Sequence, residues 1–166
     1  PHVGFQIPLA DQPVLAGPRG NPDFDFDADA EGRATLPETV FDGGVVVTHP
    51  GGFASVKRSE LRGRPEIRLQ SWGKVVGIVK EGDRIVAGRT VYLTSGDVGL
   101  TPWMVTQHRV TDADGRFEFP AVPPGDAVLS LGSGREIGPI TMHQQKPLVV
   151  EPGRTLHLQL GGEGRP

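Results

Sequence analysis

The chain has 166 residues, a net charge of −3 and no cysteine, and it contains 24 Gly and 16 Pro. That length accommodates one ordinary domain or two small ones, and abundant Gly and Pro without a collagen period predict many turns. The lack of cysteine excludes disulfides, thiolate metal sites and cysteine catalysis. Scattered basic residues argue against a nucleic-acid surface, and no apolar run in this segment is long enough to span a bilayer.

The first part of the chain predicts short and irregular strands. Residues 5–7 and 13–15 are short apolar stretches near Pro, whereas residues 23–27 alternate Asp with Phe as a half-buried strand does. A Val-rich run at 44–47 predicts another strand. Residues 54–61 predict a turn of helix or a loop, and residues 67–70 predict the last strand of this part. Because the sequence starts with Pro rather than Met, we expect a processed or partial form of a longer polypeptide.

An internal repeat organises the sequence. Residues 29–33 read Asp-Ala-Glu-Gly-Arg, and residues 112–116 read Asp-Ala-Asp-Gly-Arg. Apolar strand patterns follow each copy in the same order, so the chain is predicted to hold two related units. The boundary falls beside Trp72, which is expected to pack either at the junction or in the core of one unit.

The second unit has the clearer strand pattern. Runs rich in β-branched and aromatic residues are separated by Gly, Asp and Pro, as in a sandwich of about seven strands. The predicted strands are residues 74–79, 90–93, 104–110, 117–119, 127–131, 137–142, 148–150 and 155–160.

Four motifs in this order carry a family resemblance. They are residues 73–79 (GKVVGIV), 87–93 (AGRTVYL), 111–119 (TDADGRFEF) and 122–126 (VPPGD). The second unit thus resembles the carboxypeptidase regulatory-like family, which has a transthyretin-like (prealbumin-like) sandwich. The first unit resembles the later half of the same domain. The resemblance implies an all-β protein of two tandem Greek-key β-sandwich modules of prealbumin-like type: 1–72, divergent or incomplete, and 73–166, the regulatory-like module.

The same resemblance implies a non-catalytic structural or interaction module within a larger exported or cell-envelope bacterial protein. Its partners would be another protein or flanking domains of the same polypeptide, no cofactor is implied, and the setting would be secreted, periplasmic or cell-surface. Two enzyme types on related folds do not fit. The chain ends without the Tyr-Arg-Gly-Ser signature of hydroxyisourate hydrolases, and Tyr92 is the single tyrosine where intradiol dioxygenases use two.

A carbohydrate-binding module is the alternative function, because aromatic side chains are the groups that binding sites recruit. Trp103 and Tyr92 are the candidate ligand-binding residues, and a polysaccharide would be the partner. Trp103 could instead cap the sandwich core.

The repeated Asp motif predicts a hairpin connection in which Asp oxygens accept backbone N–H groups and Gly takes a positive φ. The alternative is a calcium site at Asp112 and Asp114, which are spaced like the opening ligands of an oxygen-rich loop. No Glu follows at the position that would complete an EF-hand loop. The five histidines lack the close spacing of a zinc motif. A spontaneous isopeptide crosslink between Lys74 and an Asp side chain stays open.

Overall fold

A computed structural model of the chain describes residues 2–3, 14–16, 26–29, 31–33, 44–61, 66–96, 104–133 and 141–162. Strands dominate this part, and the only helix within it is one turn long. The elements are β1 (His2–Val3), β2 (Val14–Ala16), β3 (Phe26–Asp27), β4 (Gly44–His49), β5 (Gly52–Lys57), α1 (Arg58–Leu61), β6 (Gly73–Glu81), β7 (Arg84–Ile85), β8 (Thr90–Ser95), β9 (Met104–Val110), β10 (Arg116–Val122), β11 (Gly125–Ser133), β12 (Thr141–Val150) and β13 (Thr155–Gly161). The prediction of an all-β protein is confirmed. Within the described ranges, no helix has the length and apolar character needed to cross a membrane.

One antiparallel sheet comes from the first part of the chain, with strand order β3-β1-β4-β5. Among the described residues, Val47 and Ala54 form its buried core, and half-buried apolar residues from β5, α1 and the following segment pack against them.

Two predictions for this part are wrong. Residues 54–57 belong to strand β5 and only Arg58–Leu61 is helical, because pairing with β4 decides the conformation of a short segment with weak intrinsic preference. Residues 67–69 form no strand, and Gln70 makes a single bridge to Phe53. The predicted strand at residues 5–7 lies outside the described residues.

A β-sandwich forms from the second part of the chain. One sheet has the order β10-β6-β13 with β7 beside β6, and the facing sheet has the order β12-β11-β8-β9-β2. Buried residues alternate with more exposed ones along β8 and the first half of β10, so alternate side chains point into the space between the sheets. The fully buried side chains there include Phe119, Leu93, Leu129, Val75 and Leu160. The predicted sandwich is therefore confirmed, while the count of two modules stays a prediction.

The strand predictions for this part agree with the structure, with two exceptions. The short strand β7 (Arg84–Ile85) was not predicted. β12 is a continuous strand, Thr141–Val150, where two strands at 137–142 and 148–150 were predicted; residues 137–140 lie outside the described part. Its partner β11 keeps pairing along this length through one irregularity between Leu129 and Leu131. The last strand, β13, pairs in parallel with β6, whereas every other pairing described is antiparallel.

Strand β2 connects the two parts of the chain. β1 and β3 pair with each other in the first sheet, yet β2, which lies between them in sequence, pairs with β9 of the sandwich. Between Val3 and Phe26, the described strand thus belongs to the sandwich and not to the first sheet. A segment of residues 1–72 therefore completes a sheet of residues 73–166.

Candidate functional site

The repeated motif forms the same turn twice. In each copy the Asp carboxylate oxygen Oδ1 accepts two backbone N–H groups, from Glu31 and Arg33 at 3.1 and 2.7 Å in the first turn. In the second, Asp114 and Arg116 donate to Asp112 at 2.9 and 2.8 Å. In each copy, the Asp carbonyl also accepts the N–H of a Gly with positive φ. These bonds show how the Asp shapes the backbone of the turn. The second turn joins β9 to β10, which lie in facing sheets and do not pair with each other, so the predicted hairpin is wrong at this position.

The second turn is also the predicted calcium position. One oxygen of Asp112 already accepts two amide groups, and both Asp112 and Asp114 are exposed. In the part of the chain that the structure describes, no three His, Asp or Glu side chains cluster as metal ligands. The calcium site stays a prediction without a complete set of oxygen ligands here.

Tyr92 lies on the outer face of the five-stranded sheet. Its ring occupies the space where a Cβ on Gly132 would be, and its centroid is 6.0 Å from that of His108 on β9. On the same strands, the hydroxyls of Thr94 and Thr106 are 3.4 Å apart. The half-buried ring and these polar groups form a small aromatic face. Trp103, the other predicted ligand-binding residue, lies outside the described residues.

The facing sheet carries a shallow groove of about 710 Å³ on its outer face. Its floor contains Val76 and Ile78 from the central strand, and Arg116, Glu118 and His157 contribute from the two neighbours. Glu118 and His157 are both opposite Val76 in register. Apolar and charged groups alternate there, as on any half-exposed sheet.

Lys74, the residue considered for a crosslink, forms an ion pair with Glu118. The Nζ to Oε1 distance is 2.8 Å, and the two side chains are 40% and 54% exposed. The pair spans neighbouring strands in a solvated position, where an ion pair contributes about 0–1 kcal/mol.

Strand β9 presents a well-fixed edge. The buried Gln107 side chain donates to the carbonyl of Ala121 at 2.8 Å, and the Arg109 guanidinium lies 5.6 Å from the centre of the Phe119 ring. Immediately after the strand, the Thr111 hydroxyl donates to Val86 O at 3.0 Å. The first two contacts hold β9 against β10, and strand pairing holds it against β8, so its other side is a pairing surface for β2.

The sequence of β9 contains a signal of this role that strand prediction alone does not use. Exposed edge strands usually carry Pro or several charges that prevent pairing with other chains. β9 reads Met-Val-Thr-Gln-His-Arg-Val, with no Pro and one permanent charge. An edge without such residues is open to pairing with another strand, and in the structure β2 pairs with it.

Trp72 packs against the first sheet. Its indole N–H donates to the His49 carbonyl at 2.9 Å, and its ring lies 5.5 Å from that of Phe53. Strand β6 begins at the next residue. The side chain therefore holds the start of the sandwich close to the β4–β5 hairpin.

No family model matches the chain, and no curated protein matches it. Similar solved structures include a Pseudomonas aeruginosa protein described as a candidate carbohydrate-binding protein, with 14% identity, TM-score 0.38, and coverage of 58% of this chain and 92% of that one. The minor pilin of Streptococcus agalactiae has 18% identity, TM-score 0.41, and coverage of 83% and 66%. A streptococcal ancillary pilin has 12% identity, TM-score 0.40, and coverage of 99% and 56%. At identities and TM-scores this low, the similarities carry no conclusion about function.

Proposed function

We propose that the chain is a non-catalytic structural and interaction module of a larger exported or cell-envelope bacterial protein. Its role is to hold two β units in a fixed relation and to present their outer faces to a protein partner or to flanking domains. The resemblance of residues 73–160 to carboxypeptidase regulatory-like domains supports this setting.

The pairing of β2 with β9 is the observation that carries the proposal. Three consecutive residues of the first part, Val14, Leu15 and Ala16, are in register with three of the sandwich. Trp72, the last residue of the first unit, packs on the first sheet directly before β6 begins, so the covalent connection between the units is short and forms a second attachment. Two attachments restrict relative motion far more than one short linker does.

A distance measurement between the two units tests this. Because the chain has no cysteine, Ser55→Cys and Val149→Cys place spin labels at one exposed position in each unit. We expect a narrow distance distribution, and a broad one when Val14→Pro and Leu15→Pro are added. The proline pair removes two successive amide groups, so whichever of them faces β9 is lost.

The matched control is Val14→Thr with Leu15→Val, which keeps both amides and the strand preference. This background should leave the distribution narrow. A distribution that is equally broad in all three backgrounds would contradict a fixed relation between the units.

Carbohydrate binding is the second candidate, and the aromatic face at Tyr92 favours it. The ring rests on Gly132 beside His108, and hydroxyl groups of Thr94 and Thr106 lie on the same strands. An aromatic surface with nearby hydrogen-bonding groups suits a sugar ring. Titration with soluble polysaccharides, read by Trp fluorescence, should show saturation that weakens in Tyr92→Ala and Trp103→Ala. No saturable change with any glycan would eliminate this function.

A further inference from the structure

We propose that β2 is an exchangeable strand: in a pair of chains, β2 of each copy pairs with β9 of the other. The second copy of this chain is thus the partner that the β9 edge fits. The inference rests on the proposed function in one respect, since it requires β2 to pair with β9 at all.

The path of the chain is the first argument. β1 and β3 are neighbours in the first sheet, and residues 4–25 connect them in sequence. β2 is the one part of the segment with described structure, and all its strand pairing is with β9. A single strand reached through two connections can be exchanged without unfolding either sheet.

The acceptor edge is the second argument. Strand β9 contacts β10 through the Gln107 hydrogen bond and the Arg109 contact with Phe119. Neither contact involves β2. An edge that keeps its shape when β2 leaves can accept the same strand from another chain. Because the two arrangements have the same pairs of residues, concentration decides between them.

The length of the connections limits the geometry of the pair. Residues 17–25 join β2 to β3, and fully extended they reach about 30 Å. The first sheet of one copy must therefore lie within that distance of β9 of the other. In a pair with a two-fold axis, both copies have the same distance between their first sheet and the partner's β9, so one arrangement meets the limit for both. Each β9 is then paired with a β2 strand.

Cross-linking between two different single-cysteine variants tests the exchange. Leu15 and Val105 are opposite one another in register, and opposite residues of an antiparallel pair have Cα separations that suit a disulfide. Leu15→Cys and isotope-labelled Val105→Cys are mixed at high concentration, unfolded and refolded together, and oxidised. We expect a covalent heterodimer, identified by intact mass, whose yield rises with concentration.

Leu15→Cys mixed with Val149→Cys is the matched control, since Val149 is exposed and lies on β12 at the opposite edge of the same sheet. A yield no higher than in this control would overturn the exchange. The double variant Leu15→Cys/Val105→Cys separates the two proposals at low concentration. If the double variant forms its disulfide within one chain and the mixture gives no heterodimer, exchange is contradicted but the β2–β9 pairing stands. If neither experiment gives a disulfide, the β2–β9 pairing and the proposed function are contradicted as well.

Discussion

The turns at Asp29 and Asp112 have the same hydrogen bonds but very different surroundings. Among the described residues, a Cβ on Gly32 would meet nothing within 4 Å, whereas one on Gly115 would lie 2.7 Å from Ile85 Cγ2 and 3.1 Å from the Val79 carbonyl. The carbonyl of Gly115 also accepts the N–H of Val79 at 2.8 Å. A short motif therefore sets the backbone of both turns, and the second turn also packs in a buried position against β6 and β7.

The same contrast holds for the units that contain these turns. Among the described residues, the sandwich has a continuous buried cluster from both sheets, and the first sheet has Val47 and Ala54 with four half-buried neighbours. The same type of substitution should therefore lower the free energy of unfolding more in the sandwich than in the first sheet. The largest difference is expected for the removal of aromatic rings.

Phe119→Ala should have the greatest effect on stability. The ring is fully buried between the sheets, and removing such a ring costs about 3–5 kcal/mol. Phe53→Ala in the first sheet removes a half-buried ring that contacts Trp72, at a cost of about 1 kcal/mol. Urea unfolding followed by circular dichroism measures both. Equal losses would show that the first sheet is as well packed as the sandwich.

Gly115→Ala should cost more than Gly32→Ala. Both residues have positive φ, 68° and 79°, where a side chain costs about 1–2 kcal/mol. Gly115→Ala adds crowding against Ile85 and two carbonyls, worth a further 1–3 kcal/mol or so. The free energies of unfolding of the two variants, measured by thermal unfolding, should differ by this additional crowding cost. A larger loss for Gly32→Ala would contradict the packing difference.

Asp112→Ala should cost about 1–2 kcal/mol, because two amide N–H groups lose their acceptor. Asp29→Ala breaks the equivalent bonds, but its effect should be confined to the first sheet. Hydrogen exchange separates the two, with faster exchange in β10 for Asp112→Ala alone. Asp112→Asn keeps an Oδ1 acceptor and serves as the control. Loss of exchange protection in β10 with Asp29→Ala would contradict the separation.

The smallest effects should come from surface ion pairs, and here the two units should agree. Lys74 pairs with Glu118 at 2.8 Å and Arg68 with Glu66 at 3.1 Å, all of them substantially exposed. Lys74→Ala and Arg68→Ala should each change the free energy of unfolding by less than about 1 kcal/mol. A larger loss in denaturant unfolding of Lys74→Ala would indicate that the ion pair fixes β6 to β10.

The sandwich strands could be predicted because local pattern and tertiary position agree there. Residues 104–110 and 155–160 alternate or cluster apolar residues between clear turns, and the structure places strands at Met104–Val110 and Thr155–Gly161. The turn at Asp112 was also predictable, since the Asp and Gly act through bonds within a few residues.

Apart from residues 54–57, which pair with the adjacent strand β4, the failures come from pairing partners that are distant in sequence. The strand at 156–159 pairs with β6, whereas the similar residues 67–69 have no such partner among the residues described and form no strand. The joining of β2 to β9 likewise depends on two segments about 90 residues apart. No local pattern at Val14–Ala16 determines that choice of partner. The pairing of β2 with the edge of β9 is therefore visible only in the structure.

The parallel pairing of β13 with β6 has a mechanical consequence. After the first sheet, the chain runs into the sandwich at the start of β6, and its last sandwich strand ends at Gly161; these two points lie at opposite ends of one pair of neighbouring strands. Tension applied between these two points therefore pulls the two strands past each other lengthwise. The evenly spaced hydrogen bonds of a parallel ladder then share the load together instead of opening one after another from an end.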